Sequence, residues 1–280
     1  MQKCCFTALI TPFTEKNQLD LQSLIKQIRA QSPLNGLVVL GTTGERMALS
    51  FEEEKLIIET AVKETRHVVV GSGCNCTWKS VERSKMAKDL GAGGILAIVP
   101  YYNRPPYRGI LKHFESIAKV GLPVIVYHHP KRTGTALSIE ELVGISQIDG
   151  VVGIKEASSD IAFARKLIGA IDIPVYCGDD ALTLEMIQLG AKGTISVVSN
   201  IIPNEWEEMV RLALSGNWEK ASEIDNRYRP LVDALGLEVN PIGVKYALSA
   251  LGLCAPHMRL PLCEPLEETK RAINEVLFHR

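Results

Sequence analysis

Eight short apolar runs alternate with helical patterns along the chain, and this alternation constrains the fold more than any other feature. The runs are continuously apolar and rich in β-branched residues, as expected for parallel strands buried on both faces. They begin near Cys5, Leu37, His67, Gly94, Pro123, Val151, Pro174 and Gly193. Eight strands in alternation with helices predict an α/β fold, the (β/α)8 TIM barrel. An open doubly wound sheet is the alternative, but no G-x-G-x-x-G phosphate loop is present.

Helix signals occupy the segments between these runs. Asp20 precedes an i, i+3, i+4, i+7 apolar stripe and is the expected N-cap of that helix. Capping-box spacing occurs in Ser50 with Glu53 and in Ser138 with Glu141, while Gly91 and Gly121 are expected to end helices.

The strand signals end after Ser199, and the remainder looks helical, for example Leu231 to Leu237 and Glu267 to Leu277. We therefore expect a barrel over residues 1–216 and a C-terminal helical extension over residues 217–280. The extension is too short for a typical independent domain, so it is expected to pack on the barrel.

Charge and cysteine usage exclude several classes of protein. The 280 residues carry a net charge of −1, which argues against nucleic-acid binding and a polybasic membrane anchor. No apolar run is long enough to cross a membrane, and residues 1–13 lack the features of a signal peptide. The seven cysteines form no C-x-x-C pair and are expected to be reduced thiols in a cytoplasmic protein without a zinc site.

Candidate catalytic residues lie where the strands end, because TIM barrels carry their chemistry at that face. Lys155 ends the apolar run Val151–Ile154, so its amine should lie at the barrel mouth. Burial there would lower its pKa and make it nucleophilic toward carbonyls. A lysine that extends to solvent, or pairs with Glu156, is the alternative.

Four further residues could support a lysine nucleophile. Tyr127 ends the adjacent strand and could move protons, or it could be an ordinary core tyrosine. Thr42 and Thr43 lie in a Gly-Thr-Thr-Gly loop whose amides could bind a carboxylate, or which could be a plain turn. Arg132 lies in a loop and could bind a carboxylate through two parallel hydrogen bonds, or it could be a solvated charge.

Metal binding is not expected at the histidine and aspartate pairs. His128 and His129 are adjacent on a strand and should point to opposite faces, so they cannot easily share an ion. Asp179 and Asp180 follow Gly178 and are better explained as a helix N-cap.

Taken in order, these residues resemble the dihydrodipicolinate synthases of the N-acetylneuraminate lyase superfamily, over nearly the whole chain. The matching pieces are Thr11-Pro12, Gly41 to Glu45, Pro100 to Pro105, Tyr127 with Pro130, Arg132-Thr133-Gly134, Gly153 to Ala157, Gly178-Asp179-Asp180, Gly193 to Val197, and Asn240-Pro241 with Lys245.

The resemblance implies a barrel with a C-terminal helical extension, usually a homotetramer, and no metal or organic cofactor. It implies that Lys155 forms a Schiff base with pyruvate and that the enamine attacks L-aspartate 4-semialdehyde. It implies a proton relay of Thr42, Tyr102 and Tyr127, in which Tyr102 enters the neighbouring subunit's site. It implies that the Thr42–Thr43 region binds the pyruvate carboxylate and that Arg132 binds the semialdehyde carboxylate. It also implies that Gly178 and Ile195 contribute backbone groups near Lys155.

Two positions depart from the pattern of these relatives. His128 stands where they commonly have Asn, and Arg46 stands where a small residue is common, so loop packing or substrate preference could differ.

Feedback-sensitive members present His and Glu side chains in a lysine-binding cleft, where this chain is expected to place Phe51, Glu54 and Lys79 while keeping Asn75. Lys79 would repel the ligand, partly offset by pairing with Glu54, so weak or absent inhibition by L-lysine is expected.

Two other functions remain open. One is another pyruvate-dependent aldolase of the superfamily, such as N-acetylneuraminate lyase or a keto-deoxy sugar acid aldolase. Arg132 and the Thr42–Thr43 pair favour the synthase over these enzymes. The other is a catalytically silent paralogue that binds a keto acid, which the presence of Lys155 and Tyr127 disfavours.

Overall fold

Eight parallel strands close into a barrel in the computed structural model, which describes residues 4–31 and 36–278. The strands are β1 (Cys5–Ala8), β2 (Gly36–Val39), β3 (Val68–Gly71), β4 (Gly94–Ile98), β5 (Val124–His128), β6 (Val151–Glu156), β7 (Val175–Cys177) and β8 (Thr194–Ser196). Each strand pairs with its successor, and β1 pairs with β8 through Phe6 opposite Ile195. The predicted TIM barrel is confirmed, and the open doubly wound sheet is wrong because the sheet closes.

Helices follow the strands and surround the barrel. Within the described ranges they are α1 (Leu21–Ala30), α2 (Phe51–Glu64), α3 (Thr77–Asp89), α4 (Tyr107–Ala118), α5 (Pro130–Thr133), α6 (Ile139–Ser146), α7 (Ile161–Ala170), α8 (Thr183–Gln188), α9 (Pro203–Leu214), α10 (Trp218–Leu235), α11 (Ile242–Ala250) and α12 (Glu267–Phe278). Short 3-10 helices span Arg46–Ala48, Asp180–Leu182 and Val198–Asn200.

The predicted N-caps are confirmed. The Asp20 side chain accepts a hydrogen bond from the Ser23 amide at the start of α1. Complete capping boxes begin α2 and α6, where Ser50 pairs with Glu53 and Ser138 with Glu141. Each box satisfies helix N–H groups that have no partner within the helix.

The predicted helix ends are also confirmed. Gly91 and Gly121 follow α3 and α4 with φ values of +90° and +83°, a left-handed conformation that costs glycine little. Asp179 caps the 3-10 helix that precedes α8, where its side chain accepts from the Ala181 amide.

Apolar side chains fill the barrel and the layer between barrel and helices. The interior contains Phe6, Ala8, Val38, Val69, Leu96, Ile125, Tyr127, Ala157, Tyr176 and Ile195. Tyr176 meets Phe6 edge to face at 5.8 Å between ring centroids. The barrel is therefore plugged by side chains, and a ligand can enter only at its mouth.

Helices α10, α11 and α12 share one apolar cluster with the barrel. In that cluster Cys5 of β1 and Trp206 of α9 pack with Tyr228, Leu248 and Ile273 of the C-terminal helices. Because the core is continuous, the C-terminal helices pack on the barrel as expected, while the division at residue 216 stays a prediction. Helix α10 ends at Leu235 and is capped by Gly236, two residues before the end of the predicted helical segment at Leu237.

The predicted ends of the two regions, residues 1–3 and 279–280, lie outside the described residues. Across residues 4–31 and 36–278, no helix combines the length and the apolar character that a bilayer crossing requires.

Candidate active site

The carboxyl ends of the strands surround a cavity of about 200 Å³. Six of the eight residues predicted for the site line it, namely Thr42, Thr43, Tyr127, Arg132, Lys155 and Gly178. Ile195 is fully buried in the barrel interior, and Tyr102 lies away from the cavity.

Lys155 is held in the middle of this group by strand pairing. Its register partners on the neighbouring strands are Tyr127 of β5 and Tyr176 of β7. Its Nζ lies 4.5 Å from the centroid of the Tyr127 ring. Burial is the main cause that lowers the pKa of Lys155 to about 8. The charge of Asp180 opposes this shift, and the charge of Arg132 contributes to it. About one tenth of the amine is therefore neutral at pH 7.

Gly178 leaves the space that the lysine stem needs. A Cβ at this position would lie 2.7 Å from Cε of Lys155 and 2.7 Å from Cβ of Ala157, closer than carbon atoms approach without contact strain. The Gly178 amide donates to the Glu156 carbonyl at 2.8 Å, which fixes the start of the loop after β7. Only glycine fits here without moving the lysine.

Tyr127 and Thr42 form a hydroxyl pair beside the lysine. Burial raises the pKa of Tyr127 to about 12, while Arg132 and a hydrogen bond with Thr42 act to lower it. The phenol is thus protonated at neutral pH, and it can donate to an oxygen bound near Lys155 or accept from its neighbour. This is the arrangement that a proton relay requires.

Backbone strain shapes the threonine loop. Leu40 and Glu45 flank it with φ values of +59° and +50°, which are unusual for residues other than glycine. Gly71 makes room for this turn, because a Cβ there would collide with the Leu40 carbonyl oxygen. The strain persists because the Glu45 carboxylate is paired with Lys245 of α11.

Asn240 joins the two predicted carboxylate-binding elements. Its Nδ2 donates to Oγ1 of Thr43 at 3.0 Å, and its carbonyl accepts from Arg132 at 3.1 Å. Sequence reasoning assigned Asn240 no role. The only available signal was its position before Pro241 in the segment after α10.

Asp180 is a second residue whose role the sequence did not reveal. Its Oδ2 accepts from the amides of Val197 and Val198 at 2.8 and 2.7 Å, which ties the loop after β7 to the loop after β8. Burial raises its pKa, and its charge raises that of Lys155. The expected helix cap is Asp179 alone, since Asp180 points toward β8.

The two adjacent histidines point to opposite sides, as expected for a strand end. His128 contacts Glu156 and stacks on Phe163 of α7, whereas His129 meets the Tyr127 ring at 5.7 Å. Burial and nearby positive charges lower the pKa of His129 to about 4, so it is neutral at physiological pH. Among the residues that the structure describes, no three His, Cys, Asp or Glu side chains are grouped to hold a metal ion.

Tyr102 is 87% exposed and has a φ of +73°, in the loop after β4. It lines neither the lysine cavity nor the adjoining chamber of about 330 Å³ that Thr42, Tyr101 and Tyr127 share. A strained, exposed aromatic residue is characteristic of a functional loop, and its entry into a second subunit stays a prediction.

The predicted pairing of Glu54 with Lys79 is wrong. Glu54 is buried, and its Oε2 accepts from Nε of Arg83 at 2.7 Å while Oε1 lies 3.8 Å from Arg46. Lys79 is exposed, with Nζ 5.5 Å from the Trp78 ring centroid. Arg83 lies one helical turn beyond Lys79 on the same face of α3, and its position there lets it reach the buried carboxylate.

The departure at Arg46 has a structural consequence. Its side chain is buried, donates to the Gly73 carbonyl at 2.5 Å and contacts the thioether of Met47. Arg46 thus fills the space between the threonine loop and the loop after β3.

A buried amine of lowered pKa at the mouth of a TIM barrel, with a phenol, hydroxyls and a guanidinium around it, defines the enzymes that activate carbonyl substrates as lysine Schiff bases. The chain belongs to the dihydrodipicolinate synthetase family, whose model matches residues 1–279.

Relatives and solved structures agree with this assignment over the full chain. The 4-hydroxy-tetrahydrodipicolinate synthases of Methanocaldococcus jannaschii and Protochlamydia amoebophila are each 41% identical, covering 99% and 98% of this chain and 98% and 95% of theirs. The crystal structure of dihydrodipicolinate synthase from Aquifex aeolicus matches with a TM-score of 0.95 at 38% identity, covering 99% of this chain and 97% of that one. A structure described as the first monomeric dihydrodipicolinate synthase variant also matches with a TM-score of 0.95. It is 36% identical, and the match covers 98% of this chain and 95% of that one.

Proposed function

We propose that the chain is a lyase of the aldolase type that condenses pyruvate with L-aspartate 4-semialdehyde to give 4-hydroxy-tetrahydrodipicolinate, in diaminopimelate and lysine biosynthesis. The observation that carries the proposal is the buried Lys155 amine, with its pKa lowered to about 8, in one cavity with Arg132. The names of relatives about 40% identical over nearly the full chain support the same reaction.

The neutral Lys155 amine attacks the pyruvate carbonyl carbon to form a carbinolamine. Loss of water gives an iminium, and loss of a methyl proton gives the enamine. The enamine carbon then attacks the aldehyde of the second substrate. The amino group of that substrate attacks the iminium carbon, closes the ring and releases Lys155 as the free amine. The lysine supplies the electron sink, so the proposal needs no metal or organic cofactor.

Tyr127 and Thr42 carry the protons in this sequence. The phenol donates to the carbinolamine oxygen as it leaves as water, and the resulting phenolate takes the methyl proton as the iminium becomes the enamine. The phenol then donates to the aldehyde oxygen as the new carbon–carbon bond forms. Its high pKa keeps it protonated before each transfer, and the hydrogen bond to Thr42 stabilises the transient phenolate.

Two different elements hold the two carboxylates. The Thr42–Thr43 region takes the pyruvate carboxylate through loop amides and hydroxyls. Arg132 takes the semialdehyde carboxylate, and Gly178 with Ile195 offers backbone groups near Lys155. The contacts of Asn240 with Thr43 and Arg132 support this division, because they fix the distance between the two elements.

Tyr102 completes the relay from a second copy of the chain, in a homotetramer. Its exposure and its left-handed backbone support this role. The chamber of about 330 Å³ beside Thr42 and Tyr127 is large enough for an aromatic side chain. We place the enzyme in the cytoplasm, which a cysteine pattern without a C-x-x-C pair supports, since thiols persist in reducing compartments.

The test is a comparison of aldehyde acceptors at saturating pyruvate, with product identified by mass. The proposal expects turnover with L-aspartate 4-semialdehyde at least about a hundredfold above that with N-acetylmannosamine or glyceraldehyde. Faster turnover of a sugar aldehyde would assign the chain to the sugar-acid aldolases instead. No turnover with any aldehyde, from protein that binds pyruvate, would favour a silent paralogue.

A further inference from the structure

His128 is buried at the end of β5, on the side of the strand that faces away from the lysine cavity. Its register partner is Glu156, the last residue of β6, just as Tyr127 is the partner of Lys155. Both side chains are almost fully buried. The pair therefore joins the ends of the two strands that carry the phenol and the nucleophile.

The hydrogen bonds around the ring identify its tautomer. Nε2 lies 3.3 Å from the amide nitrogen of Leu137, and an amide N–H can only donate, so Nε2 is the unprotonated acceptor. The ring hydrogen is then on Nδ1, which donates to Oε2 of Glu156 at 2.6 Å. The other carboxylate oxygen, Oε1, accepts from the Ser158 amide at 2.6 Å. Each polar atom of the pair has a partner.

Leu137 is the far end of the loop that carries Arg132. The chain leaves β5 at His128, forms the short helix α5 with Arg132, and returns at Leu137, which is buried. The bond from Leu137 to Nε2 closes this loop on the residue where it began. Within the loop, the Thr133 hydroxyl bonds to the carbonyls of His129 and Thr135, and Arg132 donates to the Asn240 carbonyl outside it.

We propose that His128 is a positioning residue, which uses its unprotonated Nε2 to fix the Arg132 loop, while its Nδ1–H bonds to Glu156 and contributes to stability. It touches no substrate and no reacting atom. The inference rests on the proposed function, because its consequence is the affinity for the acceptor carboxylate at Arg132. Schiff-base formation at Lys155 does not depend on it.

Two substitutions separate the two ring nitrogens. In His128→Asn the amide nitrogen can replace Nδ1 and keep the bond to Glu156, but nothing replaces Nε2. In His128→Gln the amide oxygen can replace Nε2 and accept from Leu137, but the donor to Glu156 is lost. Phe163→Leu is the matched control, since it removes the ring stacked on His128 and neither hydrogen bond.

The experiment measures KM for L-aspartate 4-semialdehyde, kcat, pyruvate trapping by borohydride, and hydrogen exchange of peptides covering residues 129–137. We expect His128→Asn to raise KM about fivefold, the factor for a hydrogen bond worth about 1 kcal/mol, and to speed exchange in those peptides. Pyruvate trapping should stay at the wild-type level. His128→Gln and Phe163→Leu should keep KM within about twofold of wild type, although His128→Gln should lower Tm because Glu156 loses a partner.

Equal KM in His128→Asn and wild type, or the same rise in all three variants, would overturn the inference, because then the ring acts only by packing. If His128→Asn does not fold, slow exchange of the 129–137 peptides in His128→Gln supports the inference and fast exchange contradicts it. Wild-type protein that traps pyruvate but does not turn over the semialdehyde would instead contradict the proposed function.

Discussion

Two lysines are buried near the mouth of this barrel, and their surroundings differ. Lys245 of α11 is fully buried and paired with the Glu45 carboxylate, with Nζ 4.1 Å from the Phe13 ring centroid. Lys155 of β6 also lies over an aromatic ring, but within the described residues it forms no ion pair and it faces a cavity.

Burial lowers the pKa of both lysines, and the nearby groups decide what each can do. For Lys245 the Glu45 charge opposes the effect of burial, and the amine donates to that carboxylate. For Lys155 the acid whose charge raises its pKa, Asp180, has its Oδ2 engaged by two backbone amides. Burial alone therefore does not make a nucleophile; a buried lysine without a carboxylate partner, open to a cavity, can become one.

Lys155→Ala should produce the largest effect on activity. We expect turnover to fall by about four orders of magnitude or more, as for other covalent nucleophiles, because Lys155 is the only lysine among the described residues that line the cavity. Stability should change by no more than about 1 kcal/mol, since the removed charge was unpaired. Steady-state assays and urea unfolding measure the two effects, and near-normal turnover would refute the Schiff-base role.

Lys245→Met should show the opposite pattern. Removing one member of a buried ion pair leaves Glu45 uncompensated, at a cost of about 3–5 kcal/mol in the free energy of unfolding. The double variant Lys245→Met with Glu45→Gln should recover part of this loss in urea unfolding. A single variant as stable as wild type would show that the Glu45 pair contributes little to stability.

Tyr102→Phe tests whether the open cavity of Lys155 is completed by a second chain. We expect turnover to fall by about a hundredfold, the range of a lost proton-transfer group. Mixing Tyr102→Phe with Lys155→Ala subunits should restore part of the activity, since some mixed sites have both groups. Labelled subunits must first be shown to exchange; exchange without recovered activity would place Tyr102 outside the neighbouring site.

The smallest effect is expected from free L-lysine. Glu54 already pairs with Arg83 and lies near Arg46, so a third cation would find this carboxylate occupied. Initial rates should stay unchanged as L-lysine rises to about 10 mM, with both substrates near their KM. Half-inhibition at about 1 mM or below, roughly −4 kcal/mol of binding, would show that other residues bind lysine.

The sequence was sufficient where structure depends on short-range pattern. Continuous apolar runs marked all eight strands, and the capping residues of α1, α2 and α6 were identified from spacing alone. Lys155 was found in the same way, because it ends an apolar strand.

Contacts between distant segments could not be derived from that pattern. Asn240 bonds to Thr43 across 197 positions, and Asp180 reaches the loop after β8 only because β7 and β8 are neighbours. The partner of Glu54 was missed because the choice between Lys79 and Arg83 depends on how α2 and α3 are rotated against each other.

Trapping with pyruvate and borohydride, followed by peptide mass spectrometry, tests the contrast between the two lysines most directly. We predict a pyruvyl adduct on Lys155 and none on Lys245, which serves as the internal control. Because the neutral amine reacts, the initial trapping rate should rise with pH through the Lys155 pKa of about 8. The increase from pH 7 to pH 9 should be about tenfold, as the neutral fraction grows from about one tenth to about nine tenths. An adduct on Lys245, or none on Lys155, would contradict this account.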